Sequence, residues 1–559
     1  MNISVSKLIV NYMERLGIDT IFGMPGAHIL PVYDGLYDSQ IKSVLAKHEQ
    51  GAAFMASGYA RDSGKIGACI ATAGPGATNL ITGIANAYVD KQPVLAITGE
   101  TSTHIFGRGG LQESSGEGGS IDQNILFKGI TRYSRMIERT DYLGNVLNRA
   151  SNILLSSNPG PVLLSLPFNV QKEQVDASIL DDIKTERNPH AGQPESSQFS
   201  QAIESLTDLI VKAEHPIIIA GYGCVRAGCQ QELTELSELM SIPVTTSLKG
   251  KGAVNETSAY ALGSMGVTSY GNARQYICDE ADLLLVLGAG FNERTSYLWQ
   301  KELLKDKKIA QVDIDESQLE KVFKADVAIQ GDIKQVISGV LNNIKRNKLS
   351  AKDKDNILQA VDNLKTDIGQ DAETFNQRFD LVKRFFNDLE RAFPRGIRLF
   401  DDNIIFAQNF FNVSTENSYY PNTGISSLGY SIPAAIGAQF AEQKPTFSVI
   451  GDGGFQMCCM EIMTAVNYRI PLNIIMFNNS TMGLIRKNQH QQYNERYLNC
   501  DFENPDYAFL ARSFGIKHKR IENADDLDGL FDELDFSKDI NLVEIMIDKD
   551  AFPNYFSKR

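Results

Sequence analysis

Two short stretches of this chain hold the residue types that bind a metal-chelated diphosphate. They are Gly451-Asp452-Gly453-Gly454 and, about one helix and one strand later, Asn478-Asn479-Ser480-Thr481. Each follows an apolar β-type run, Thr446-Phe447-Ser448-Val449-Ile450 in the first case and Ile474-Ile475-Met476-Phe477 in the second. As parallel strands these runs would place both motifs at their carboxyl ends, where open α/β sheets bind ligands. Asp452 offers a hard carboxylate, Asn479 an amide oxygen, and the turn after it a backbone carbonyl. Three oxygens leave room in an octahedron for phosphate oxygens and water, the usual surroundings of Mg²⁺. The glycines beside Asp452 let backbone N–H groups come close to a diphosphate. Asp-Gly alone is a common turn. The order strand, GDG, helix, strand, NN is what makes the reading specific.

Three stretches near the N-terminus carry further candidates. Lys47-His48-Glu49-Gln50 opens an Ala- and Gly-rich helical stretch, and Glu49 has two readings. Packing among small residues desolvates the carboxyl, raising its pKa and leaving it a proton to share. Alternatively it is a first-turn glutamate favoured by the helix dipole. In Ala73-Gly74-Pro75-Gly76-Ala77-Thr78-Asn79 the Gly-Pro-Gly corner is either a close approach to a ligand or a plain tight turn. Phe22-Gly23-Met24-Pro25-Gly26-Ala27-His28 is another glycine corner, and His28 either faces a pocket or only packs its loop.

The elements that position these motifs form three blocks. A chain of 559 residues exceeds one usual core, so two to four domains are expected. Residues 1–170 hold strand candidates at Thr20-Ile21-Phe22, Gly67–Ala71, Val94–Ile97 and Val162–Leu166. Residues 171–198 are polar and proline-bearing and read as a linker. The block 199–345 repeats the style, with strands at Pro216–Gly221, Leu283–Gly288 and Ile309–Asp315. A Lys- and Asp-rich linker, 346–372, has room for a helix; residues 373–547 carry the opening motifs, and 548–559 form a tail. Short apolar runs alternating with helical patterns predict parallel sheets covered on both faces. The expected fold is α/β, with three doubly wound parallel-sheet domains.

Composition narrows the function. A net charge of −14 argues against nonspecific binding to nucleic acid or an anionic membrane. No apolar run of 18 residues appears and no secretory signal is read at the N-terminus, so the expectation is a cytoplasmic protein without membrane contact. Seven cysteines are scattered without a zinc-type pair of CxxC motifs, and Cys458-Cys459 reads as core filling.

Taken together, these motifs resemble thiamine-diphosphate (ThDP)-dependent 2-oxo acid decarboxylating enzymes of the acetolactate synthase group. The resemblance is carried by Phe22-Gly23-Met24-Pro25-Gly26, Lys47-His48-Glu49-Gln50, Gly74-Pro75-Gly76-Ala77-Thr78-Asn79, Leu111-Gln112-Glu113, Gly288-Ala289-Gly290-Phe291-Asn292-Glu293-Arg294 and both opening motifs, over nearly the whole chain. It implies a pyrimidine-binding first domain, a central Rossmann-like domain and a diphosphate-binding third domain. Mg²⁺ is then held by Asp452, Asn479 and the Thr481 carbonyl. Glu49, from a partner subunit, bonds the pyrimidine ring, and Leu428 wedges the cofactor into its bent form, so a homodimer or homotetramer is implied. Catalytic roles fall on Glu49, His28, Gln112 and Leu428. Cofactor contacts fall on Gly26, Glu49, Gly74, Gly76, Asn79, Ser426, Leu428, Gly451, Asp452, Gly453, Gly454, Asn479, Thr481, Met482 and Gly483.

The implied reaction removes CO₂ from a 2-oxo acid such as pyruvate and passes the acyl-anion equivalent to a carbonyl acceptor. Substrate contacts are implied at Arg294, Leu484 and Asn488. Arg294 matches the arginine that meets an acceptor carboxylate, whereas Asn488 stands where the family typically carries tryptophan. Ser114-Ser115-Gly116-Glu117-Gly118-Gly119-Ser120 is longer than the usual loop and either reshapes the site or is a surface insertion. A ligase for a larger aldehyde or ketone, and a decarboxylase releasing aldehyde, therefore stay open. The middle block resembles the FAD-binding form of the family through Phe291-Asn292-Glu293-Arg294 and Val312-Asp313-Ile314-Asp315, with Gly290 replacing a usual arginine. FAD, an ADP-type ligand and an empty fold are the open alternatives there.

Overall fold

Among the described residues, twenty strands build three six-stranded sheets and one small ribbon. A computed structural model describes residues 1–186, 196–351 and 354–552. Parts of both expected linkers (187–195 and 352–353) and the tail beyond 552 lie outside the described residues. In the first domain β1 (Asn2–Ser4) is followed by β2 (Thr20–Gly23), β3 (Lys42–Leu45), β4 (Gly67–Ala71), β5 (Val94–Glu100), β6 (Tyr133–Met136), β7 (Val162–Pro167) and β8 (Gln174–Asp176). The central domain holds β9 (Pro216–Ala220), β10 (Val244–Thr246), β11 (Ala261–Ser264), β12 (Leu283–Leu287), β13 (Lys308–Asp313) and β14 (Val327–Gln330). The third holds β15 (Arg398–Asp401), β16 (Ser418–Pro421), β17 (Thr446–Gly451), β18 (Leu472–Asn478), β19 (Lys517–Ile521) and β20 (Ile540–Met546).

Runs such as Pro-Ile-Ile-Ile-Ala in β9 and Leu-Leu-Leu-Val-Leu in β12 are buried at every position. Continuous apolarity of this kind is what a parallel strand covered on both faces requires. The first and third sheets share one plan, β3-β2-β4-β5-β7-β6 and β16-β15-β17-β18-β20-β19. The central sheet runs β11-β10-β9-β12-β13-β14, the 3-2-1-4-5-6 order of dinucleotide folds. Strand order reverses between β2 and β4, between β9 and β12, and between β15 and β17, and the crevice at such a point is where these sheets take ligands. The glycine corners after β2 and β4 flank the first crevice, and Asp402 and Gly451–Gly454 flank the third.

Structure also enters the spans expected as linkers. β8 pairs antiparallel with β1, and a helix at Lys354–Thr366 packs Val361 into the central core while Lys365 Nζ donates to the Ser258 and Ala259 carbonyls (3.0 and 2.8 Å).

The first and third domains share a core. The Glu49–Ser63 helix is buried from Gly51 to Arg61, and the Ser431–Ala441 helix from Ser431 to Gln439. Helices buried all round belong between layers, not on a surface. They cross so closely that a Cβ on Gly58 would stand 2.1 Å from the Ala434 carbonyl oxygen, and one on Gly437 2.0 Å from that of Met55.

Candidate active site

A cavity of about 800 Å³ opens at the carboxyl ends of β15, β17 and β18. Its floor is Gly451 at the end of β17, Asp452, Gly453 and Gly454 just after it, and Asn479, Thr481, Met482, Gly483 and Leu484 after β18. Ser426 and Leu428 close one side; Arg294 and Lys249 from the central domain and Val89 from the first close the other. Asp452 is buried, and its two oxygens accept four N–H donors. Oδ1 takes Gly453 N–H (2.9 Å); Oδ2 takes Asn479 N–H (3.2 Å), Ser480 N–H (2.6 Å) and Asn504 Nδ2 (2.8 Å). Burial raises its pKa and the four donors oppose that rise.

The donor set fits a Mg²⁺-diphosphate unit. Asp452 is a fixed carboxylate and Asn479 adds an amide oxygen, which here accepts Thr481 N–H at 3.3 Å. Among the described residues no group of three or more His, Cys, Asp or Glu side chains gathers to hold a metal. A hard cation that draws the rest of its oxygens from phosphate and water needs no such cluster. The glycines are required by space: a Cβ on Gly453 would lie 2.6 Å from the Met482 sulfur, and one on Gly454 2.7 Å from Asp402 Oδ2.

A second group assembles in the first domain. Glu49 is the first residue of its helix and half-buried; its Oε2 accepts Asn79 Nδ2 at 2.9 Å, and Gly76 faces its Oε1. His28 Nδ1 lies 3.2 Å from Gln112 Oε1, and Gln112, at φ 54°, packs against Gly74. Gly26 packs on Thr72, whose hydroxyl accepts His28 N–H at 3.3 Å. The 114–120 loop begins at this corner, where Ser114 Oγ accepts Gly74 N–H (3.1 Å), while Gly116–Gly119 are exposed. Within one chain none of Gly26, His28, Glu49, Gly74, Gly76, Asn79 and Gln112 lines the third-domain cavity.

Of the substrate candidates, Arg294 and Leu484 line the cavity; Asn488 lies further along the Gly483–Gln492 helix, half-buried and outside the lining. The Arg294 side chain makes no hydrogen bond or ion pair among the described residues, and its charge slightly favours ionisation of buried Asp401. Three residues at the site escaped sequence reasoning. Asp402 is buried beside Gly454 and accepts the N–H groups of Gly429 (2.8 Å) and Tyr430 (3.0 Å), which fixes the backbone just after Leu428. Burial pushes its carboxyl up to about 6, and that of Asp401 up to about 7. Among the described residues Asn504 is the one side chain that donates to Asp452. Lys249 pairs with Asp90 at 2.5 Å on the cavity wall. The acidic pair at the end of β15 was a readable signal; lone Asn504 and Lys249 carried none.

Two parallel sheets of one plan, one ending in a carboxylate–glycine–amide cradle for a chelated diphosphate, define a cofactor-diphosphate enzyme. Comparison with known proteins specifies the cofactor. Residues 3–118 match the thiamine pyrophosphate enzyme N-terminal TPP binding domain, 203–340 the central domain and 403–545 the C-terminal TPP binding domain. The chain is 34% identical to the probable acetolactate synthase large subunit of Methanocaldococcus jannaschii, across 97% of this chain and 92% of that one. It is 31% identical to the acetolactate synthase isozyme 2 large subunit of Escherichia coli K12 (97% and 95%) and 30% identical to the acetolactate synthase large subunit of Lactococcus lactis (98% and 93%). The chain belongs to the ThDP-dependent enzymes, in the family of acetolactate synthase large subunits. Among the described residues no helix is long and apolar enough to cross a membrane.

Proposed function

We propose that the protein is a Mg²⁺- and ThDP-dependent carboligase that decarboxylates pyruvate and joins the two-carbon unit to a second 2-oxo acid, acetolactate formation being its simplest form. The observation that carries this is Arg294: a guanidinium with no hydrogen-bond or ion-pair partner among the described residues, lining the cavity that holds the diphosphate cradle. A half-buried guanidinium there suits a substrate carboxylate, which it would meet with a two-pronged fork. Bound ThDP supplies the electron sink for loss of CO₂.

The residues divide the remaining work. Asp452, Asn479 and the Thr481 carbonyl would hold Mg²⁺, and the N–H groups of Gly454 and Gly483, in the first turns of their helices, would be donors for the diphosphate. Leu428, on a backbone fixed by Asp402, supports the cofactor rings, while Leu484 and Val89 keep water out. Glu49 holds a proton at Oε1 while Asn79 occupies Oε2. His28 and Gln112 bond to each other beside it and complete the wall. Since the Glu49 group stands outside the cradle's cavity within one chain, a second copy brings the two together. Exposed large apolar side chains beside both groups favour that reading: Leu111 and Ile125 near the first, Ile425 and Met457 near the second. A homodimer, alone or paired into a tetramer, is the proposed assembly.

For FAD the central domain gives opposed indications. Its strand order and the reach of Asn292–Thr295 into the cavity favour a flavin. Against it, Gly223 N–H is already bonded to the Gly288 carbonyl at the crevice (3.1 Å), and Asp315, the acid after β13, pairs with Lys91 (2.6 Å). The absorbance spectrum of the purified protein decides between them. For the reaction, pyruvate with ThDP and Mg²⁺ is expected to yield acetolactate; acetaldehyde without acyloin overturns ligation. Glu49→Gln should keep the fold and slow pyruvate consumption about 10²–10⁴-fold.

A further inference from the structure

The docking of the third domain on the first is built around a buried carboxylate to which the proposed reaction assigns no task. Glu461 ends the turn before the Ile462–Tyr468 helix and is 3% exposed. Its Oε1 accepts the N–H groups of Lys47 (3.0 Å) and His48 (2.8 Å), the two residues before Glu49. Its Oε2 accepts the Thr464 hydroxyl (3.0 Å), which also lies 3.3 Å from the Leu45 carbonyl. One turn on, the Tyr468 hydroxyl accepts Leu45 N–H (2.8 Å) and stands 3.3 Å from the Ser43 carbonyl.

Residues 461, 464 and 468 share one helical face, and the backbone groups of 43, 45 and 47 share one edge of an extended chain. β3 is the end strand of its sheet. Side chains of the third domain thus replace a missing neighbour strand along β3, and the last of them, Glu461, grips the residues that lead into Glu49. Space confirms the fit: a Cβ on Gly51 would stand 2.2 Å from Glu461 Oε1. Burying an anion is costly unless it is fully hydrogen-bonded, and removing it would orphan two backbone donors at the entry to the Glu49 helix.

We infer that Glu461 is a positioning residue for Glu49, setting where the proton-holding carboxyl stands by anchoring the turn before it across the domain boundary. The inference rests on the role proposed for Glu49, and its test separates the two. The readout is exchange of the C2 proton of enzyme-bound ThDP for deuterium, followed by proton NMR after acid quench. Glu461→Ala is expected to slow exchange about ten-fold or more, the scale of a sub-ångström to 1 Å misplacement, with the ThDP half-saturation concentration unchanged. Glu461→Gln keeps an acceptor oxygen and should restore most of the rate. In a Glu49→Gln background, Glu461→Ala should add almost nothing. Amide hydrogen exchange of segment 43–50 should rise in Glu461→Ala and not in Glu461→Gln.

Wild-type exchange in Glu461→Ala, or an equal slowing in both backgrounds, overturns the positioning role while leaving Glu49 its own. If Glu49→Gln alone exchanges like wild type, the reading of Glu49 fails and this inference falls with it. Should Glu461→Ala not fold, Tyr468→Phe carries the test, because it removes one hydroxyl from the same edge. A several-fold slower exchange supports the inference, and an unchanged rate overturns it.

Discussion

Asn504→Ala should weaken Mg²⁺ binding about 10–100-fold, the usual cost of losing an outer-shell partner of a metal ligand. Asn504 Nδ2 reaches Asp452 Oδ2 (2.8 Å), Asn478 Oδ1 (2.8 Å) and Ser480 Oγ (3.2 Å), while its Oδ1 accepts Gln456 Nε2 (2.8 Å) and the Tyr507 hydroxyl (2.9 Å). It therefore ties the GDGG turn to the NN turn through one amide. A hydrogen bond to a charged group contributes about 1.5–3 kcal/mol, and half-burial of Asn504 places this one at the lower end. That corresponds to a little over ten-fold in affinity at about 1.4 kcal/mol per decade. Titrating Mg²⁺ at saturating ThDP, by calorimetry and by turnover, measures it. Gln456→Ala removes only an exposed prop of the same amide and should cost about 0.5 kcal/mol. If Asn504→Ala binds Mg²⁺ as tightly as wild type, three backbone N–H donors suffice to hold Asp452 and the argument fails.

Arg294→Leu should lower kcat/KM for a 2-oxo acid acceptor about 10–100-fold and barely affect an aldehyde acceptor; equal losses for both would remove the carboxylate contact. Gly58→Ala forces a Cβ to 2.1 Å from the Ala434 carbonyl, and thermal unfolding should register about 1–3 kcal/mol of destabilisation. Burial holds the Asp402 and Asp401 carboxyls at about 6 and about 7, above their ordinary 3.8, and raises Asp452 too. With the folded value raised, the native state binds more protons, so this contribution is complete below about pH 4 and is lost as pH rises toward 7. The unliganded protein should therefore lose stability between about pH 4 and 7. Mg²⁺–ThDP requires ionised Asp452, so it should stabilise more at the higher pH; a melting difference that does not change with pH would contradict this.

Much of the fold was legible because parallel strands announce themselves. Runs such as Ile474–Phe477 and Leu283–Leu287 lack alternation, which only a doubly covered sheet explains. The cradle was legible for the same reason: Asp452 and Asn479 follow such runs directly, and a strand end fixes where the next residues stand. Asn504 was not legible, because it reaches Asp452 from a loop 52 residues away. Neither was the short strand Gln174–Asp176 in the expected linker, whose partner lies at the other end of its domain. Periodicity reports burial and local geometry; it does not report which distant backbone a side chain meets.

Glu49 shows why the site belongs to the docking of domains as much as to any motif. The helix it begins touches its own sheet, but three fixed points along it come from elsewhere. Glu461 holds its entry, the Ala434 and Gly437 backbone crosses its middle, and near its end Arg61 donates to the Pro421 carbonyl (3.0 Å) and pairs with buried Asp90 (3.4 Å). Asp90 also pairs with Lys249, so the same junction reaches the cavity wall from the central domain. A helix clamped at both ends and in the middle by other domains cannot shift its first residue without disturbing buried ionic contacts. Fixing Glu49 so firmly is costly in polar groups taken from water, and that cost is met only where all three domains assemble. The carboxyl is thus placed by the folded whole, while the short motif Lys47–Gln50 determines only that a carboxyl is there to be placed.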